Sequence, residues 1–368
     1  MVRSRLRTPR IAAAVIALVA TAMLTESAVA APSQRQRQGA VRTAQAPMAG
    51  SCDSLTALSL PNTVITSAAV APASGTTPAS CRVHAQVPHP PAGDTENIDV
   101  WLPHQRWNGR FQGVGGGGYA GGNPQFLALP VSQGYAAATT DTGHPGASGD
   151  FALDANGHLN WQLIRDNAYL GVHDMTVVGK AVTAAFYGHP AHHAYWNGCS
   201  TGGRQGLSEA QRYPDDYDGI LSAAPAINWS RFIPAEFWPQ LVMLQAGDFL
   251  PQCKFAAFQA AAVQACDQLG DRVQDGVIGD PLHCGFDPRT QIGKVTPCGT
   301  ITAQDAAVVG KILAGPRTST GEFLWYGLTP GSSFAGLALT ASSASTTVGV
   351  PFPIPLTHIG IWLLQNPS

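Results

Sequence analysis

The chain has 368 residues, 45% of them hydrophobic and 12% charged, and a formal net charge of −2 at pH 7. Such a length and apolar content can bury a large core. The near-neutral balance, with no basic cluster beyond the N-terminal segment, excludes neither enzyme nor binder but disfavours nucleic acid and anionic membranes as partners.

The first predicted element carries Arg3, Arg5, Arg7 and Arg10, an apolar run over residues 11–24, and Ala28-Val29-Ala30. This is the pattern of a secretory signal peptide over residues 1–30. The run is too short to span a bilayer, and no later stretch supplies the ~18 apolar residues a membrane helix needs, so a secreted, soluble protein is expected. Residues 31–50, rich in Gln, Ala and Arg, read as a flexible leader.

Short β-rich runs follow at 98–102, 111–114 and 135–140. Over 168–187 the apolar positions Met175, Val178, Val182, Ala185 and Phe186 recur at helical spacing, and Gly188 with Pro190 ends the segment. A strand is predicted at 193–197, a helix at 204–213 closed by Pro214, and a buried strand at 219–225. Strands alternating with helices predict a partly parallel sheet in an α/β core over 51–228. Beyond 229 the character changes to aromatic residues such as Phe232, Phe237 and Trp238, an Ala-rich helical stretch at 255–266, and abundant Gly, Pro, Thr and Ser, which reads as an inserted lid over 229–368.

Between the fourth predicted strand and its helix lies Gly198-Cys199-Ser200-Thr201-Gly202, a G-x-S-x-G pentapeptide. A serine hydroxyl raised on a tight strand-to-helix turn is a nucleophile elbow, and the flanking glycines permit the close backbone approach this needs. A glycine turn containing serine is common, so the pattern alone leaves both readings open. The run Gly113-Val114-Gly115-Gly116-Gly117-Gly118-Tyr119 follows a strand and lacks the lysine of a P-loop. In an elbow hydrolase such a loop offers one backbone N–H to an oxyanion and the residue after the nucleophile, here Thr201, offers the second.

His283 and His358 are the only histidines after Ser200, and neither has a catalytic context; His144, His173 and His189 precede it. A structural role is expected for all five. Asp267, Asp271 and Asp275 fall within nine residues, with Asp271, Val273, Asp275 and Val277 alternating by two and Gly276 permitting a bend, a spacing that suits calcium without being an EF-hand. Seven cysteines in an exported chain leave one thiol free or its partner outside the sequence, and their scatter argues against zinc.

The stretches Gly109-Arg110-Phe111-Gln112-Gly113-Val114-Gly115, Asp141-Thr142-Gly143-His144, Tyr195-Trp196-Asn197-Gly198-Cys199-Ser200-Thr201-Gly202-Gly203-Arg204-Gln205-Gly206 and Tyr213-Pro214-Asp215-Asp216-Tyr217-Asp218-Gly219-Ile220 resemble the tannase and feruloyl esterase family of secreted α/β-hydrolases. The resemblance covers about residues 52–315. It implies an α/β-hydrolase core, incomplete at its C-terminal end, with an inserted lid. It implies Ser200 as the acylated nucleophile, and Gly117 or a neighbouring glycine with Thr201 as the oxyanion hole. In the family the cysteine before the nucleophile bonds a cysteine after the catalytic histidine; this chain has Cys199 but no His-Cys near its end, and the catalytic Asp segment is missing too.

The resemblance further implies a structural calcium ion in the lid, bound by Asp271, the Val273 carbonyl, Asp275 and the Val277 carbonyl. One inserted residue displaces Asp267 and leaves its contribution open. The other six cysteines are expected to pair as Cys52 with Cys81, Cys266 with Cys284, and Cys253 with Cys298, leaving Cys199 unpaired. No organic cofactor is implied.

The expected function is that of a secreted serine carboxylic ester hydrolase acting on small aromatic acid esters, including plant-wall or tannin-derived ones, in a chain that lacks the catalytic Asp and His and so shows little or no turnover alone. The alternative is a non-catalytic secreted binder of aromatic or polysaccharide ligands derived from the same fold. A serine peptidase or lipase is disfavoured by the Cys199 context and the acidic loop.

Overall fold

A computed structural model describes residues 50–343 and 346–366. The expected signal peptide over 1–30 and nearly all of the leader over 31–50 lie outside the described residues.

Seven strands form one mixed sheet: β1 Val64–Ala71, β2 Ser80–Pro88, β3 Thr95–Pro103, β4 Arg110–Val114, β5 Ala136–Thr140, β6 His193–Cys199 and β7 Gly219–Ala223, in the order β1-β2-β3-β5-β4-β6-β7. The first four positions in that order pair antiparallel, whereas β5, β4, β6 and β7 run parallel. β1 and β2 are absent from the sequence-based expectation. β1 is a largely exposed edge strand in which Val64, Ile65 and Val70 are spaced through Thr, Ser and Ala, with little hydrophobic alternation to mark it.

Central β5 is a run of small residues, Ala136, Ala137 and Ala138, all fully buried. That flatness lets helix α1, Gly171–Tyr187, sit close against the sheet: a methyl group on Gly179 would overlap Phe111 and touch Ala138. Val172, Met175, Val178, Val182 and Phe186 form the buried face of α1, and each large apolar side chain so buried contributes about 1.5–3 kcal/mol. Gly188, at φ 78°, ends the helix in the left-handed conformation that glycine adopts freely. The helix begins three residues later than the sequence pattern indicates, because Asp166–Leu170 forms a π-helical turn that leads into it.

Helix α2, Thr201–Arg212, starts directly after Ser200 and packs on β6 and β7. The remainder holds α3 Trp229–Glu236, α4 Trp238–Ala246, α5 Gln252–Cys266 and α6 Ala303–Ala314. None of its described strands joins the main sheet. Its own core gathers Val242, Met243, Phe255, Phe258, Val309 and Phe334. α6 is opened by a capping box in which the Thr302 hydroxyl accepts the Asp305 N–H and the Asp305 carboxylate accepts the Thr302 N–H. Disulfides join Cys52 to Cys81, Cys253 to Cys298 and Cys266 to Cys284, and Cys199 is free and exposed.

Candidate active site

β4 and β6 are parallel neighbours, with Val114 registered opposite Asn197. The glycine-rich loop after β4 and the elbow after β6 therefore emerge side by side at the carboxyl ends of the strands, where open α/β sheets bind ligands. The two backbones touch. A methyl group on Gly198 would overlap the Gly202 backbone, and one on Gly115 would lie 2.5 Å from the Gly202 Cα. Glycine at these positions is what allows the crossing.

Ser200 itself adopts φ 58° and ψ −117°. A non-glycine residue held there costs of the order of 1–3 kcal/mol, and such strain persists only when surrounding bonds over-determine it. Those bonds are present: the Ser200 N–H donates to the Ala223 carbonyl at 3.1 Å, and the Ser200 carbonyl accepts the Arg204 and Ala226 N–H groups at 3.0 and 3.1 Å. The side chain is exposed, and its hydroxyl has no hydrogen-bond partner among the described residues.

The loop is pinned so that some of its N–H groups are engaged and others are not. Gly115 N–H donates to the Asn197 carbonyl at 3.1 Å, and Gly116 N–H to the Gln205 Oε1 at 3.1 Å. Gln205 Nε2 donates to the Gly121 carbonyl at 2.9 Å, Gly202 N–H to the Gly116 carbonyl at 3.0 Å, and the Thr201 hydroxyl to the Gly118 carbonyl at 2.5 Å. The N–H groups of Gly117, Gly118 and Thr201 have no partner among the described residues. Free donors beside an exposed, lifted hydroxyl can stabilise a negative oxygen developing on a carbonyl attacked by that hydroxyl.

The support behind this site includes residues to which sequence reasoning gave no role. Arg204 donates from both terminal nitrogens to the carbonyls of Ala168 and Asn167, at 2.9 and 3.0 Å, and lies 5.0 Å over the Trp229 ring. The Tyr119 carbonyl accepts Asn167 Nδ2 at 2.9 Å and His144 Nε2 at 2.8 Å. Gln205 and Arg204 stand inside the quoted motif, but only the fold shows what they hold.

The histidines occupy packing positions. His144 is buried and stacks on Phe151, and burial lowers its pKa. His173 Nδ1 lies 2.7 Å from Asp216, with its ring stacked on Tyr213. His189 is half-buried with Nδ1 3.0 Å from the Pro190 carbonyl, and His283 Nδ1 lies 2.7 Å from Asp280. His358 is buried with Nδ1 3.0 Å from the Tyr119 hydroxyl, joining an aromatic cluster with Phe151, Trp229 and Trp362.

In the acidic loop, Asp271 Oδ1 accepts the Val273 N–H, Asp275 Oδ1 the Val277 N–H, and Asp267 Oδ1 the Gly276 N–H, each at 2.9 to 3.0 Å. Asp267 therefore reaches across to the loop despite the inserted residue. The donors are all oxygen, a set that fits a hard cation. Their carboxylates are not among the groups of the described residues that converge to within 4.8 Å.

Comparison with known proteins shows the family and the fold. A family model described as tannase and feruloyl esterase matches residues 81–349. A probable feruloyl esterase of Arthroderma benhamiae is 42% identical over 292 residues, covering 77% of this chain and 53% of that relative. An uncharacterized esterase of Xanthomonas campestris is 37% identical over 295 residues, covering 76% of this chain and 50% of its own. The chain spans about half the length of these curated relatives. Among solved structures, the tannin acyl hydrolase from Aspergillus niger superposes with a TM-score of 0.73 at 26% identity, over 83% of this chain and 61% of that one. Feruloyl esterase B from Aspergillus oryzae gives 0.71 at 26% identity, over 86% and 64%. The mixed sheet with its flanking helices is thus an α/β-hydrolase core.

Proposed function

The chain belongs to the tannase and feruloyl esterase family, and from that premise we propose that it carries the nucleophile of a secreted serine carboxylic ester hydrolase acting on esters of aromatic acids. The observation that carries this reading is the strained, exposed Ser200 at the β6–α2 junction beside the unengaged N–H groups of Thr201 and Gly117.

In this reading Ser200 Oγ attacks the ester carbonyl carbon while a general base accepts its proton. The carbonyl oxygen, now an oxyanion, accepts hydrogen bonds from the Thr201 N–H and from Gly117 or its neighbour Gly118. Collapse breaks the bond to the alcohol oxygen, which leaves with the proton, and water then hydrolyses the acyl-Ser200 ester. No histidine bonds Ser200 Oγ among the described residues, and we place the base outside them. The three disulfides support an oxidising, extracellular setting. The names of the relatives support feruloyl esters and tannin acyl esters as substrates.

A calcium ion in the acidic loop belongs to the same proposal. Asp267, Asp271 and Asp275 would hold it with the Val273 and Val277 carbonyls, bracing a lid segment already stapled by Cys266–Cys284. It would supply rigidity and no chemistry.

The test is hydrolysis of methyl ferulate, methyl gallate and a terephthalate half-ester by the full-length protein. Hydrolysis that disappears in Ser200→Ala is expected. Hydrolysis indifferent to Ser200→Ala overturns the assignment, and a folded full-length protein that binds these esters without cleaving them favours the non-catalytic binder.

A further inference from the structure

At the N-terminal end of α1, four segments bring ionisable side chains together. His89 and Asp94 lie in the β2–β3 connection, Glu96 at the start of β3, Asp166 in the π-helical turn and Asp174 in the first turn of α1. His89 Nδ1 lies 2.6 Å from Asp94 Oδ2, and its Nε2 lies 3.1 Å from Asp174 Oδ2. Ligating atoms of His89, Glu96 and Asp174 all fall within 4.8 Å of one another, and so do those of His89, Asp94 and Asp166.

The charges do not balance. Four carboxylates face one imidazole, and the only ion pairs they make among the described residues are with His89. Glu96 and Asp166 are both 0% exposed. Neither oxygen of Glu96 has a hydrogen-bond partner among the described residues, and Asp94 Oδ1 and Asp166 Oδ2 also lack one. A methyl group on Gly171 would sit 2.5 Å from Glu96 Oε1, so glycine keeps room for that carboxylate. Ionising several of these buried, unpartnered carboxylates together is costly, and a bound cation offsets that cost.

We propose that His89 Nε2, Glu96 and Asp174 bind a divalent first-row cation of the Mn2+ or Zn2+ class, with Asp94 accepting the His89 Nδ1 proton. One imidazole nitrogen among carboxylates suits such an ion better than calcium, which prefers an all-oxygen shell. A carboxylate behind the ligating histidine fixes its tautomer and orientation, the arrangement usual at metal sites. Side-chain exposures of 19% for His89 and 23% for Asp174 leave a way in from solvent, while Glu96 closes the floor. The ion would tie the β2–β3 connection to the first turn of α1, which directly follows the turn whose Asn167 and Ala168 carbonyls hold Arg204.

The test is Mn2+ titration of the chelator-treated full chain in excess calcium, which fills the acidic loop, read by loss of the free-ion electron paramagnetic resonance signal. One saturable equivalent is expected, weakened at least tenfold by Glu96→Gln, Asp174→Asn or His89→Gln, and unchanged by Asp275→Asn or Asp216→Asn. Asp174 and His89 lie at the mouth, so their variants decide the matter if Glu96→Gln fails to fold. No saturable binding, or binding that survives both mouth substitutions unweakened, overturns the site.

Discussion

Gln205 Oε1 accepts the Gly116 N–H at 3.1 Å across 89 positions of chain, so the helix that begins at the elbow also holds the loop facing it. The same side chain donates to Gly121. Gln205→Ala leaves a buried N–H and a buried carbonyl unpaired, at about 1–3 kcal/mol for each group left without a partner. A lowered urea midpoint is expected. If the protein is the proposed esterase, kcat should fall about tenfold or more with KM little changed, because the loop donors act on the transition state. Unaltered stability would show that the loop is held by other means.

Strain at Ser200 separates two inactive variants. Ser200→Gly relaxes φ 58°, whereas Ser200→Ala keeps a Cβ in the same conformation. Both should abolish ester cleavage, and the glycine variant should unfold at higher denaturant by about 1 kcal/mol relative to the alanine variant. Equal midpoints would argue against a strained elbow.

Glu236 gives a pH signature. Burial raises its carboxyl pKa to about 7, and Oε2 has no partner among the described residues. Below about pH 4.5 both folded and unfolded states hold the proton, and the group contributes no difference. As pH rises towards 7 the unfolded chain loses the proton first, so stability falls across that window. Glu236→Gln should flatten this part of the profile and stabilise the protein at neutral pH by about 1–3 kcal/mol, measured by urea unfolding at pH 4.5, 6 and 7.5. A variant no more stable than its parent at pH 7.5 would contradict the assigned shift.

Calcium in the acidic loop should raise the melting temperature in a concentration-dependent way, since an ion that binds only the folded state stabilises it by mass action. Asp271→Asn and Asp275→Asn should abolish that response without changing the melting point in chelator. A calcium response that persists in both would move the ion elsewhere.

Parts of this molecule that are local in sequence were legible there. The elbow stands out because Gly198 and Gly202 bracket Ser200 between a strand and a helix, and α1 because its apolar residues keep one face over four turns. The loop and elbow meet because β4 and β6 are neighbours, which no single segment states. Gln205 lies in the recognised motif, yet its role depends on Gly116 being within reach. The cluster around Glu96 was not legible, since His89, Asp94 and Glu96 lie in one stretch of the chain and Asp166 and Asp174 in a distant one, and only the fold brings them together.

Gly117 differs from the glycines that make the backbone crossing. A methyl group placed on it meets no heavy atom of the described residues within 4 Å, and its φ is not positive. Protein engineering therefore has one position in this loop where a side chain can be added beside Ser200 without displacing the described main chain. Substitutions at residue 117 would leave the scaffold intact, whereas the same substitutions at Gly115 or Gly198 would force the crossing backbones apart.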